Sequence, residues 1–394
     1  MKVLILSVTA GNGHNATGRA LRDYFTSVSV ESEVFDTYQH IAPILSRTIE
    51  NGYDVSIKNM KGIYGGMYTR LENRREEKDY DKNSVMRAFH SFVSGKLYNF
   101  IEKYSPDAVI CTHPLPAMLM DILKRNGSLS IPITSILTDF AFHPYWEEAR
   151  FTDYLVTATE LLNLKAFKKG FKRSQLLPFG IPINPKFAKS ENKQKVRARL
   201  GLASNMFTVL LMGGGVGYGN MYNTMKQIDG LNIECQIIVV CGRNEKAKKQ
   251  IDEGAHKKKV LCYGFVDNVD QLMDASDCIV TKPGGLTSSE ALAKNLPVIV
   301  VNPIPGQEER NTEFLLNNGV AMQVTESTPL DDVIFQLFFF PEKIELMKKN
   351  IALLRHPNST KDICEFIIDD IKNRSKQAEF LREPNKADTE DIIQ

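Results

Sequence analysis

The chain opens with "KVLILSV", an apolar run too short for a buried helix, and continues into "TAGNGHNATGRALRDYF", where glycines give way to helical spacing. An unbroken apolar run bounded by turn residues is what a strand covered on both faces requires, so the pattern predicts strand, turn and helix in that order. "DAVICT", "IPITSIL" and "DYLVTA" repeat the strand pattern, separated by helical stretches such as "LPAMLMDILKRNG". Alternation of this kind implies a parallel sheet covered by helices. Prolines in "PFGIPINPKFAKSENKQKVRARLGL" break the rhythm, which puts a domain boundary near residue 186. The alternation then resumes with "FTVLLMGGG", "CQIIVVCG", "KVLCYGF", "DCIVTK" and "LPVIVVN".

The pattern therefore predicts an α/β protein of two Rossmann-like, doubly wound domains facing a cleft, residues 1–186 and 187–357. A helical stretch over 358–374 is expected to cross back toward the first domain, and 375–394 reads as a polar tail. Two domains suit a length of 394 residues. A net charge of only +2 offers no global field for nucleic acid, so no nucleic-acid partner is expected. Six scattered cysteines without a CxxC pair read as reduced, buried thiols of a cytoplasmic protein. No segment approaches the ~18 apolar residues of a membrane span. Any membrane is met from the side.

Two glycine turns carry the chemistry of the second half. In "TKPGGLTSSEA" (Thr281 to Ala291) a strand ends at Lys282, Gly284 and Gly285 turn, and a helix is expected from Thr287 or Ser288. The free N–H groups of that helix start, with its dipole and hydroxyls, make an anion site, or else an ordinary capped turn. "LLMGGGVGYGNM" (Leu210 to Met221) is a second such turn, and it is not the dinucleotide fingerprint, lacking a clearly placed acidic residue ~20 positions on. Turns at the carboxyl ends of parallel strands converge on one crevice, where a diphosphate flanked by sugar or nucleoside fits. Glu290 is a candidate for a ribose diol, or a surface glutamate. "NPIPGQEERN" puts Gln307, Glu308 and Asn311 at a strand end, suited to sugar hydroxyls or to capping.

In the first half His14 follows Gly11 and Gly13 at the head of the first helix, as a base or as a group orienting the acceptor or a phosphate. Asp139 and His143 in "TDFAFHPYW" are candidates for acceptor binding or for pairing with His14; Asp139 is also a rival base, or a turn cap. His113 in "THPLPA" is a possible cleft wall. The DxD of "EKDYDKN", Asp79 and Asp81, lies in a charged loop, and no metal is expected. "LLNLKAFKKGFKRSQ" interleaves Lys165, Lys168, Lys169 and Lys172 with Phe171 and other large apolar residues, as an anionic membrane surface or a packed amphipathic helix would require. Ser56 to Lys78, with Tyr64 and Tyr68, reads as a functional loop and the preferred lid.

"KPGGLTSSEALAKNLPVIVVNPIPGQEERNTEFLLNNGVA" resembles the nucleotide-sugar signature of glycosyltransferases that include the peptidoglycan N-acetylglucosaminyltransferase and the diacylglycerol glycosyltransferases. "LSVTAGNGHNATGRAL" is similar to the GHxxxA segment of the diacylglycerol branch, and "LTDFAFHPYW" to its TDxxxHxxW segment. The resemblance spans nearly the whole chain. It implies a GT-B fold, a UDP-sugar in the second domain and the acceptor in the first. On that resemblance Gly215, Gly217, Thr287, Ser288 and Arg243 lie near the diphosphate, Phe265 and Val266 read the uracil edge, Glu290 holds the ribose, and Gln307 with Glu308 the sugar. The lid region is associated with membrane and acceptor.

The implied activity is inverting transfer of glucose or galactose from a UDP-sugar, a substrate and not a cofactor, to diacylglycerol. The expected setting is the inner face of the cell membrane, on an anionic surface. Alternatives are a UDP-N-acetylglucosamine transferase with a polyprenyl-linked acceptor, a UDP-sugar 2-epimerase and a non-catalytic UDP-sugar sensor.

Overall fold

A computed structural model describes residues 1–9, 13–37, 39, 84–142, 144–215, 217 and 220–382. Tyr64, Tyr68, His143 and the DxD of Asp79 and Asp81 lie outside these residues. Two six-stranded parallel sheets form the frame. The first comprises β1 (Lys2–Ser7), β2 (Glu31–Asp36), β3 (Ala108–Cys111), β4 (Ile133–Ile136), β5 (Tyr154–Val156) and β6 (Leu176–Leu177), in spatial order β2-β1-β3-β4-β5-β6. The second comprises β7 (Phe207–Met212), β8 (Cys235–Val240), β9 (Val260–Tyr263), β10 (Cys278–Thr281), β11 (Val298–Val300) and β12 (Ala321–Gln323), in order β12-β11-β10-β7-β8-β9.

The central strands are apolar on both faces because helices cover both. Val3, Leu4, Ile5 and Leu6 of β1 are fully buried, as are Ile237, Ile238 and Val239 of β8. Strand order reverses between β1 and β3 in the first sheet and between β7 and β10 in the second. At a reversal the neighbouring connections leave in opposite directions, and a crevice opens beyond the carboxyl ends of the strands. His14 follows β1, and the two glycine turns follow β7 and β10, so the candidate chemistry lies at both switch points.

The helix Ser359–Arg382 packs on the first sheet, not the second. Ile363, Cys364, Ile367 and Ile371 are buried with Val3, Ile5, Leu21 and Phe25. The Ser359 and Thr360 hydroxyls donate to the Ile181 and Ile183 carbonyls, and Tyr154 donates to Asp370 (2.7 Å). The helix continues to Arg382, into the stretch that reads as a polar tail, because its buried stripe sets the axis and polar residues simply extend it. Among the described residues no helix is long and apolar enough to cross a membrane.

Candidate active site

The first domain's wall of the cleft is built around His14. The helix Gly13–Ser27 starts directly after β1, and its entry is pinned by Asn15, which accepts from Ser7 (2.6 Å) and donates to Thr9 (2.9 Å). His14 Nδ1 lies 2.8 Å from the Thr112 carbonyl, just beyond β3, and 3.1 Å from the Thr138 hydroxyl, beyond β4. A carbonyl only accepts, so Nδ1 carries the hydrogen and Nε2 keeps its lone pair. Burial holds the imidazole below the usual 6.5, against the opposing pull of the Thr112 carbonyl, so it is neutral at neutral pH. This is a neutral imidazole whose tautomer is set by its neighbour.

His113 caps the helix Pro114–Arg125, accepting from Leu115 N–H (3.1 Å), and its ring meets that of His14 edge-on at 4.6 Å. The cap locks the wall beside His14.

Asp139 departs from expectation. It does not pair with His14: Gln307 donates to its Oδ2, and Asn311 donates to its Oδ1 at 2.8 Å. Both partners belong to the second domain, so the aspartate bridges the cleft. Burial pushes its carboxyl up to about 7, although the Asn311 and Gln307 amides pull it down.

In the second domain β10 ends at Thr281 and the helix Gly285–Ala293 begins at Gly285, earlier than the hydroxyl pattern suggests. Gly284 takes the cap position, because extended backbone there needs no side-chain cap to turn the chain. Ser288 N–H donates to the Gly284 carbonyl (3.0 Å), and its hydroxyl is buried without a hydrogen-bond partner. The N–H groups of Gly285, Leu286 and Thr287 are left as the donors of this helix start.

The turn after β7 folds onto the turn after β8. Gly217 N–H donates to the Gly214 carbonyl (2.9 Å), Asn244 donates to the Gly217 carbonyl (2.8 Å), and Arg243 N–H reaches the Gly215 carbonyl at 3.3 Å. At Gly217 φ is +67°, and an added Cβ would lie 1.9 Å from the Cys241 carbonyl oxygen, so only glycine fits. Gly215 and Arg243 are exposed; Phe265 is 66% exposed and Val266 half-buried at the rim. Glu290 is half-buried, and its carboxyl is pushed up to about 8 by burial, with Lys186 pulling the other way. Glu308 is tied by Lys282 (3.0 Å) and by Ile304 N–H (2.7 Å).

Sequence reasoning missed Thr112, Thr138 and Lys282. Lys282 was legible as a cation at a strand's carboxyl end; the two threonines matter only because β1, β3 and β4 are neighbours.

The basic stretch after β5 is divided between core and surface. Phe171 is buried, packed near Phe142, and Lys169 is paired with Glu147. Lys165, Lys168 and Lys172 are exposed beside Leu161 (53%), Leu164 (63%) and Phe167 (42%).

Two parallel doubly wound domains meeting at their switch points define a GT-B protein. Solved structures agree: MurG of Acinetobacter baumannii (TM-score 0.58, 14% identity, 93% of this chain and 99% of that one) and a UDP-GlcNAc 2-epimerase of Neisseria meningitidis (0.58, 16%, 94% and 100%) share the fold.

The family described as monogalactosyldiacylglycerol (MGDG) synthase matches residues 14–183, and the glycosyltransferase family 28 C-terminal domain matches 208–363. The processive diacylglycerol beta-glucosyltransferase of Bacillus pumilus is 31% identical over 93% of this chain and 94% of its own, and that of Bacillus subtilis 30% over 98% of each. Monogalactosyldiacylglycerol synthase 1 of Arabidopsis thaliana is 30% identical over 91% of this chain and 69% of its own. The chain belongs to this family of diacylglycerol glycosyltransferases.

Proposed function

We propose that the protein transfers a hexose, glucose or galactose, from a UDP-sugar to the free hydroxyl of diacylglycerol, with inversion. The observation that carries this reading is the meeting of the two switch points at Thr138, whose hydroxyl touches His14 and whose carbonyl abuts Gly285. The names of the relatives supply the acceptor class.

In the proposed step His14 Nε2 takes the proton of the acceptor hydroxyl as its oxygen bonds to the anomeric carbon. The bond from that carbon to the diphosphate breaks, and UDP leaves with the electron pair. Its growing negative charge is received by the N–H groups of Gly285 to Thr287, which need no reorganisation, while the turn at Gly215 and Gly217 lets the backbone approach the diphosphate. Glu290 accepts from the ribose hydroxyls, and the Gln307 amide oxygen and the Glu308 carboxylate accept from those of the sugar. Phe265 and Val266 offer backbone groups to the base, and Arg243 its charge to the diphosphate.

Leu161, Leu164 and Phe167, ringed by Lys165, Lys168 and Lys172, form the face proposed to rest on an anionic membrane, the inner surface of the cell membrane. Each exposed cation near such a surface contributes about 1 kcal/mol. The apolar side chains add insertion. Turnover of UDP-glucose and UDP-galactose on diacylglycerol liposomes tests the transfer; a protein that binds UDP and makes no glycolipid sinks it.

A further inference from the structure

We infer that Asp139 is a positioning residue, and that the turn Thr138 to Phe140 is an interdomain clasp that couples docking of the donor-binding domain to the orientation of His14. The coupling rests on the transferase reading, which makes His14 the base; the clasp itself rests on geometry alone.

Three consecutive residues beyond β4 each hold the second domain. The Thr138 carbonyl lies so close to Gly285 that a Cβ there would be 1.9 Å from its oxygen. Asp139 receives one amide hydrogen from Gln307 on one oxygen and one from Asn311 on the other. Phe140 N–H donates to the Asn311 oxygen (2.8 Å), and its ring stacks on Phe314 at 5.2 Å between centroids. Asn311 is itself anchored to its own domain by a bond to the Pro283 carbonyl (3.0 Å), in the turn that carries Gly284. The same short turn touches His14 through the Thr138 hydroxyl.

Two consequences separate this role from that of a base. A base must face the acceptor hydroxyl, whereas both oxygens of Asp139 are turned to the second domain, each receiving an amide hydrogen across the cleft, and among the described residues no cation pairs with it. The contact also fixes an ambiguity in Gln307. With its amide nitrogen on Asp139, its oxygen is the end offered to a ligand, so the aspartate decides whether Gln307 accepts or donates. A raised carboxyl pKa suits either role, and the geometry distinguishes them.

The test uses Asp139→Ala, Asp139→Asn and Asn311→Ala in the full chain, with turnover, calorimetric UDP affinity and small-angle scattering. Asp139→Ala is expected to keep UDP affinity, to lose about 10²-fold in kcat as the base shifts by the order of an ångström, and to scatter as a more open particle. Adding Asn311→Ala to it costs less than the two single losses combined, since both remove the Asp139–Asn311 bond. Asp139→Asn restores the closed particle and most of kcat, because its new carbonyl still receives Asn311; the Gln307 amide turns over to accept from the new NH2, so the remaining loss falls on the KM for the sugar donor. If Asp139→Asn is closed yet as inactive as Asp139→Ala, the residue is a base and the clasp is wrong. An Asp139→Ala variant with wild-type scattering also overturns it. Should wild type transfer no hexose while Asp139→Ala opens the particle, the transferase reading fails and the clasp stands.

Discussion

Gly285→Ala is the sharpest perturbation of the meeting between domains. The added carbon would lie 1.9 Å from the Thr138 carbonyl oxygen, 2.9 Å from its carbon and 3.1 Å from the Asp139 Cα, all backbone atoms. A carbon resting against a carbonyl oxygen needs about 3.3 Å, so the two surfaces must part by more than about 1 Å. No side chain can rotate to relieve this; the domains themselves have to separate. A misplacement of ~1 Å between reacting groups costs on the order of 10²-fold in rate, or about 2.7 kcal/mol. The loss should fall on kcat, because the proposed UDP contacts all lie within the second domain and move together. Gly284→Ala is the companion variant: its backbone is extended at φ −68°, and its added carbon meets nothing within 4 Å. It should leave closure intact, so any loss appears in UDP affinity. Turnover and calorimetry on both variants separate the two effects. A Gly285→Ala enzyme with wild-type kcat, or one that loses UDP binding in proportion to turnover, would refute the reasoning.

Other consequences follow from the titrating groups and the surface. His14→Gln should lose roughly 10² to 10⁴ in kcat with UDP affinity kept; in wild type, activity should fall on the acid side with a midpoint below 6.5, since the imidazole is lowered from that value and must be neutral to act. Glu290 keeps its proton up to about pH 8 in the free protein, and must lose it to accept from both ribose hydroxyls. UDP affinity measured by calorimetry should therefore rise with pH, approaching about tenfold per unit below that value, and Glu290→Gln should lack the slope. Replacing Lys165, Lys168 and Lys172 with glutamate should cut binding to anionic vesicles by at least about 3 kcal/mol at low salt, with turnover on detergent-dispersed diacylglycerol preserved; equal vesicle binding would exclude this face.

The frame was legible because strands buried on both faces leave continuous apolar runs. "KVLILS", "FTVLLM" and "CQIIVV" became β1, β7 and β8, and the glycines after β1 and β7 marked the switch points. His14 was legible for the same reason, being fixed by its place after β1. What could not be read were contacts between residues remote in the chain. Asp139 meets Gln307 and Asn311 across 168 and 172 positions, and nothing in "TDFAF" announces a partner. Local pattern also cannot tell which side of a basic, apolar stretch faces inward: Phe171 packs into the core while Phe167, one turn earlier, is exposed. The start of the Gly285 helix was misplaced because serine and threonine favour caps, yet here glycine holds that position.

The most direct test of the account is to incubate the protein with anionic liposomes containing diacylglycerol and, in separate reactions, UDP-glucose, UDP-galactose and UDP-N-acetylglucosamine, and to follow the lipids by mass spectrometry. A hexosyl-diacylglycerol from UDP-glucose or UDP-galactose, absent with His14→Gln, is the expected result. UDP binding without any glycolipid from either hexose donor would contradict the account.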